Sequence, residues 1–132
     1  MKKYLKPLIL IISLATVFSG LLQVLSPALV LNLIGAEITP TSKHFFAIVG
    51  MFMALFGGMM IQALYSSNRN DVAILWASFQ KLGAAIAVGL GIYFELFNWL
   101  ALNVAVFDLF SGLIFLRYYQ VEQSNRRKEK GF

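Results

Sequence analysis

Four long apolar segments divide the chain, and short polar stretches separate them. The segments are residues 8–25, 45–65, 72–94 and 99–119. At 1.5 Å per helical residue they extend about 27–35 Å, which matches a bilayer hydrocarbon core of about 30 Å. Backbone polar groups find no water in lipid, so segments that cross it must pair those groups within a helix. The pattern predicts an all-α fold, a four-transmembrane-helix bundle.

The connection between the first two segments is long enough to hold another element. Ser26 and Pro27 are typical of a helix start, as N-cap and first helical residue. Gly35 is typical of a helix stop. We predict a short interfacial helix in this first extracytoplasmic loop, followed by a turn over residues 39–42. Two interpretations of the loop stay open, an interfacial brace and a lid over an outward cavity.

The composition agrees with a lipid environment. Apolar residues make up 59% of the 132 residues and charged residues only 13%, against about 25% charged in soluble domains. A soluble domain of this size has too much surface to hide so much apolar side chain. The chain has no cysteine, which excludes disulfides, thiol nucleophiles and cysteine-ligated metals.

The positive charges predict the orientation of the helices. Nine cations fall on one side of the membrane if four helices alternate: Lys2, Lys3, Lys6, Arg69, Arg117, Arg126, Arg127, Lys128 and Lys130. The opposite side has only Lys43. By the positive-inside rule both termini are expected to be cytoplasmic, in the cell inner membrane. Because these cations flank apolar segments, the net charge of +5 does not indicate nucleic-acid binding.

The domain organisation is predicted from the same pattern. Residues 1–119 are expected to form the transmembrane bundle, and residues 120–132 a basic cytoplasmic tail that is frayed or disordered in water. Small or polar residues spaced three or four apart give each helix one face for close packing. These faces are Ser13, Thr16, Gly20 and Gln23; Gly50, Ala54 and Gly58; Gly83, Ala87 and Gly91; and Ala101, Ala105, Asp108, Ser111 and Gly112.

Two charges lie deep within apolar segments, Lys81 in the third and Asp108 in the fourth. A lone charge at mid-bilayer costs roughly 2.5–3.5 kcal/mol on insertion scales. Counted from the inner ends, the two backbones are at compatible depths, so we predict a buried polar pair. Three interpretations remain open. The pair is structural, or Lys81 snorkels to the cytoplasmic face while Asp108 bonds a serine, or the two line a cavity that binds a ligand or relays protons.

Gln62, Gln80 and Asn103 are candidates to extend such a polar cavity, although each could simply bond a neighbouring helix. His44 is the single histidine and is expected at the outer start of the second helix, so we predict no metal site. No glycine-rich phosphate loop, nucleophile elbow or HExxH motif occurs. We therefore assign no catalytic residue, and an enzyme is the less favoured interpretation.

Several short stretches combine glycine with apolar residues: Gly20-Leu21-Leu22-Gln23-Val24-Leu25-Ser26-Pro27, Leu33-Ile34-Gly35, Val49-Gly50-Met51 with Gly57-Gly58, and Asp108-Leu109-Phe110-Ser111-Gly112. These stretches resemble the DoxX-like superfamily of small bacterial four-helix membrane proteins. They fall within residues 8–117. The resemblance implies a four-helix membrane fold and, from some relatives, an association with quinone-linked or other oxidoreductase complexes. It supplies no set of catalytic residues.

The favoured functional hypothesis is a non-catalytic structural or accessory subunit of a membrane complex, for example of an electron-transfer complex, or a homo-oligomer. One alternative is a small-molecule or proton-coupled transporter or binding protein that uses Lys81 and Asp108. Another is a quinone-handling oxidoreductase subunit. No cofactor is predicted, with quinone or lipid as the open candidates, and membrane lipid is the expected partner.

Overall fold

The computed structural model describes residues 2–66 and 71–131, and these ranges contain five helices and no strand. The helices are α1 (Lys2–Leu25), α2 (Pro27–Leu33), α3 (Pro40–Tyr65), α4 (Asp71–Tyr93) and α5 (Ala101–Glu129). Four of them are long and apolar enough to cross a membrane. At 1.5 Å per residue these four extend about 35–44 Å. The predicted fold class, with four spans and one short helix, is confirmed.

In the first loop the short helix was predicted correctly, whereas the turn after it was predicted wrongly. Pro27 is at the first turn of α2, and Gly35 has a φ of +71° just beyond its end. The Ser26 side chain, however, makes no capping hydrogen bond. The expected turn at residues 39–42 is instead the first turn of α3. Thr39 Oγ1 accepts from the Ser42 amide and Ser42 Oγ accepts from the Thr39 amide, a reciprocal cap that moves the helix start to Pro40.

The expected disorder of the tail is wrong, because α5 continues as one helix to Glu129. Gln123 Nε2 donates to Asp71 Oδ2 at 2.8 Å, and Arg126 Nη2 lies 3.0 Å from the same oxygen. Asp71 begins α4 and is only 8% exposed. Extending an existing helix costs far less than nucleating one, and the buried Asp71 gives the extension an anchor. Arg69, one of the cations that predict the orientation, lies outside the described residues.

The four long helices form two close pairs. α1 packs along α3, and α4 packs along α5, whereas α1 with α5 and α3 with α4 meet over much smaller areas. In the first pair, Gly20 and Gly50 face each other so closely that a Cβ on Gly50 would lie 2.6 Å from Gly20 O. In the second pair, Ser78 Oγ donates to Gly112 O at 2.8 Å. The seam between the pairs is therefore the loosest part of the bundle.

The predicted packing faces are right for α1 and α5 and partly wrong for α3 and α4. The four α1 positions and the five α5 positions are buried. On α3, Gly57 faces α1. Gly58 is exposed, and a Cβ at that position would have no atom within 4 Å. On α4, Gly83 and Ala87 are exposed, and the inward face carries Ser78 and Lys81. The need to bury the Lys81 charge, rather than the glycine spacing, determines which face of α4 points into the bundle.

Apolar side chains fill the half of the bundle near the termini. The buried cluster there joins all four long helices and comprises Ile9, Ile12, Met60, Leu64, Ile74, Ala77, Phe115 and Tyr118. A pocket of only about 10 Å³ remains just above the cluster, against Ser13 and Thr16. The seam between the helix pairs is thus closed on the side of the termini, and its open part is on the side of α2.

Candidate functional site

The structure brings Lys81 and Asp108 into direct contact. Lys81 Nζ lies 3.1 Å from Asp108 Oδ1, and the exposed fractions of the two side chains are 4% and 10%. Lys81 is on the inward face of α4 and Asp108 on the inward face of α5, so the contact joins the two helices of one pair. Because opposite charges meet at a buried position, each offsets part of the insertion cost of the other.

The alternative in which Lys81 snorkels to the cytoplasmic face is wrong. Its ammonium points into the bundle and donates to Thr16 Oγ1 at 2.7 Å as well as to Asp108. It also lies 5.2 Å from the centroid of the Phe107 ring, at cation–π distance. The expected serine partner of Asp108 is not found among the described residues, and Ser13 Oγ is buried there without a hydrogen-bond partner. Three neighbours surround the ammonium, so it has no need to reach water.

Thr16 connects the ion pair to the other helix pair. Its hydroxyl accepts from Lys81 Nζ and donates to Ile12 O at 2.9 Å, within α1. The hydrogen-bond chain therefore runs from Asp108 on α5 through Lys81 on α4 to α1. The sequence placed Thr16 on the polar face of the first helix but did not pair it with the lysine. The signal available was that spacing, since the polar stripe of α1 has to face the bundle interior.

A branched cavity lies above the ion pair, in the open part of the seam. Its two chambers share the lining residues Gln23, Val30, Met53, Lys81, Val104 and Asp108. The first chamber, about 160 Å³, lies between α3 and α4 and adds Phe46, Val49, Ala84, Val88, Phe97 and Ala101 among others. The second, about 340 Å³, lies between α1 and α5 and adds Ala15, Ser19, Leu22, Leu33, Asn103 and Phe107. Ligand sites in proteins commonly occupy about 300–1,000 Å³.

The cavity lining is mostly apolar, and besides the ion pair at the floor its polar residues are Thr16, Ser19, Gln80, Asn103 and the buried Gln23. Gln23 is 8% exposed, and its Nε2 donates to the Met53 sulfur at 3.2 Å. Thioether sulfur is a weak acceptor. Gln23 Oε1 is buried and has no hydrogen-bond partner among the described residues. The sequence identified Gln23 only as part of a packing face, and its role as a cavity-lining polar group was missed.

The three candidate cavity residues have different positions. Gln80, on α4, lines the first chamber, and Asn103, on α5, lines the second. Gln62 is exposed near the end of α3 and does not line either chamber. The structure therefore places two of the three at the cavity and leaves the third on the outside of the bundle.

Asn98 fastens α2 over the end of the cavity that lies away from the termini. Its backbone amide donates to Ile34 O at 2.6 Å, and its side-chain Nδ2 donates to Leu33 O at 3.1 Å. Gly35 packs against the same side chain, where a Cβ would lie 2.9 Å from Nδ2. The connection between α4 and α5 thus holds the carboxyl end of α2 across the seam. Val30 of α2 lines both chambers, so the short helix forms the roof of the cavity.

His44 lies apart from this site. It is exposed in the second turn of α3 and lines a shallow surface depression with Pro27, Pro40, Lys43 and Ala47. Within residues 2–66 and 71–131, no three histidine or carboxylate side chains come together at a position that could hold a metal ion.

Comparisons with known proteins add no relative to this description. No protein-family model, no curated protein and no solved structure matched the chain. The functional argument therefore depends on the ion pair and the cavity themselves.

Proposed function

We propose that this multi-pass membrane protein binds a small, mostly apolar molecule in the cavity above Lys81 and Asp108. The observation that supports the proposal is that the two chambers converge on the buried ion pair. A pair needed only for helix registry has no reason to line a cavity. Here an apolar body would occupy the chambers, and the polar floor would fix its orientation. This is the binding or transport alternative of the sequence, now favoured over the purely structural hypothesis.

The test is to fill the cavity. Val104 lines both chambers, and Val106 lies on the same helix without lining either; each is 42% exposed. The protein is purified in mild detergent and extracted with organic solvent, and the extract is analysed by mass spectrometry. We expect a compound in near-stoichiometric amount from wild type and from Val106→Trp, and its loss from Val104→Trp. Equal contents in all three proteins, or bulk phospholipid alone in each, would contradict the proposal.

A second candidate is the accessory subunit predicted from the sequence. One observation favours it: Gly83 and Ala87 form an exposed small-residue face on α4. A Cβ at Gly83 would have no atom within 4 Å. In membranes such faces let another helix approach closely. The partner would be another membrane subunit or a second copy of this chain. Neither Gly83 nor Ala87 lines either chamber, so the two candidate functions are compatible.

Gly83→Ile tests that candidate. Gly83 is exposed and a Cβ there meets no atom within 4 Å, so the variant is expected to fold and to accumulate like wild type. If the α4 face binds a partner, purification in mild detergent recovers that partner with wild type and loses it with Gly83→Ile. The matched control is Gly58→Ile on α3, another exposed glycine with free space. A wild-type protein that purifies alone and monodisperse argues against the accessory subunit.

Two expectations remain predictions from the sequence. One is location in the cell inner membrane with cytoplasmic termini, and the other is membership of the DoxX-like superfamily. The location is supported by the cationic side chains at the end of α5, among them Arg126, Arg127 and Lys128. Superfamily membership rests on the resembling stretches of the sequence alone. The quinone-handling alternative belongs to the same cavity, since a quinone is a small, mostly apolar molecule.

A further inference from the structure

A buried hydrogen-bond acceptor lines the cavity without a donor to satisfy it. Gln23 Oε1 is buried and unpaired among the described residues. Asp108 Oδ1 accepts from Lys81. Both residues line both chambers. A buried acceptor that lost its water and gained no partner is costly. Binding a molecule that donates a hydrogen bond relieves that cost, and binding one that only accepts does not.

The buried donors at the site are largely engaged, whereas Ser19, Gln80 and Asn103 carry donors at the more exposed walls of the chambers. Lys81 Nζ bonds Thr16 Oγ1 and Asp108 Oδ1 and lies near the Phe107 ring. The Gln23 amide nitrogen is directed at the Met53 sulfur. The buried group that lacks a partner is an acceptor, Gln23 Oε1, so its complement is a donor.

The charge balance indicates that this donor is neutral. Lys81 and Asp108 form a one-to-one ion pair, so the buried site carries no net charge. Lys81 lies near the middle of α4, ten residues from the start of that span. A ligand with an ammonium or carboxylate group would bring an uncompensated charge to that depth, which is costly in a bilayer. An uncharged hydroxyl or phenol donates without adding charge.

The side walls of the cavity indicate the route of entry. The second chamber lies where α1 and α5 meet only over a small area, and its wall residues Ser19, Leu22 and Asn103 are exposed on the outside of the bundle. In a membrane that outside is lipid. The apolar core near the termini closes the other end of the seam. A molecule dissolved in the bilayer can thus enter sideways, between α1 and α5, without passing through water.

We propose that the cavity selects a membrane-dissolved molecule whose head is an uncharged hydroxyl-type hydrogen-bond donor, and that Gln23 is the residue that makes the selection. The proposal rests on the proposed binding function and specifies its ligand class. Within the quinone alternative, it favours binding of the reduced quinol, which carries hydroxyl donors, over the oxidised quinone, which has only acceptors.

The test compares two probes that differ only in the donor, para-hexylphenol and its methyl ether, para-hexylanisole. Apparent affinities come from the rise of the thermal unfolding midpoint with probe concentration in one mild detergent. The proteins are wild type, Gln23→Met and the control Gln62→Met, whose glutamine lies outside the cavity. We expect wild type and Gln62→Met to prefer the phenol about tenfold, the size of one net hydrogen bond. In Gln23→Met that preference is expected to fall severalfold. Since both probes enter the same micelles, their partitioning cancels between variants.

The outcomes separate this inference from the proposed function. If Gln23→Met keeps the wild-type preference while both probes bind, selection by Gln23 is wrong and the binding cavity stands. If neither probe shifts the wild-type midpoint, the hydroxyl-selective site is wrong, and the extraction experiment, which uses no probe, decides the binding function. If Gln23→Met does not accumulate, the preference of wild type for the phenol is compared with that of Val104→Trp, in which the tryptophan fills the cavity. A preference equal in the two proteins then overturns the inference.

Discussion

Replacing Lys81 by methionine is expected to destabilise the folded bundle by about 3–5 kcal/mol, because the change leaves a buried carboxylate without its counter-charge. Asp108→Leu should cost a similar amount by stranding the ammonium. The double variant Lys81→Met/Asp108→Leu is expected to recover most of the loss, since two apolar side chains of similar volume replace the pair. Unfolding is followed by far-ultraviolet circular dichroism while a denaturing detergent is added to mild-detergent micelles.

The control for this cycle is Lys128→Met, which removes a cation from an exposed position on the α5 extension. It should change the unfolding free energy by less than about 0.5 kcal/mol. A double variant as unstable as either single variant would show that the ion pair is not the source of the loss. A double variant that folds but no longer releases a bound compound would show that the pair serves binding as well as stability.

Gly50→Ala is expected to destabilise the bundle by about 1–3 kcal/mol, the usual cost of overpacking. The added Cβ would lie 2.6 Å from Gly20 O and 2.6 Å from Gln23 Cβ, so α1 and α3 would have to move apart. Gly20 O is backbone and cannot rotate away. Because Gln23 sits at this contact, the same change should also disturb the cavity. The measurement is the same detergent titration.

Gly58→Ala is the matched control on the same helix. A Cβ there meets no atom within 4 Å, so only the higher helix propensity of alanine remains. That effect is worth about 0.5–1 kcal/mol in favour of the folded state. The two alanine substitutions are therefore expected to have opposite signs. Equal effects at positions 50 and 58 would mean that α1 and α3 do not approach each other as closely as the structure shows.

The helices could be predicted from the sequence because a segment that crosses the lipid bilayer has to be long and apolar. Apolar stretches of about 20 residues identify the spans, and Pro27 with Gly35 identifies the short helix between two of them. The boundaries were less predictable. Hydropathy indicates where a segment leaves the hydrocarbon core, whereas a helix ends at its last backbone hydrogen bond. The α5 helix therefore continues ten residues past the predicted limit, held by Asp71.

The site was predictable in its charges and unpredictable in its shape. Lys81 and Asp108 stand out because charges are rare in such segments. The cavity above them depends on which helices pack closely, and that depends on contacts such as Gly20 with Gly50. Gly83 and Gly58 have the same spacing signal and face outward. A sequence pattern gives the small residues but not the partner helix, so it could not locate the loose seam or identify Gln23 as its unpaired amide.

The ion pair joins two helices that are consecutive in the chain, and this has a consequence for biogenesis. Lys81 and Asp108 belong to the same hairpin, α4 with α5, and the first hairpin contributes only the neutral Thr16. Each hairpin can therefore leave the translocon with its membrane charges already balanced. The second hairpin does not have to wait for the first to neutralise it, and the two halves can dock afterwards as electrically neutral bodies.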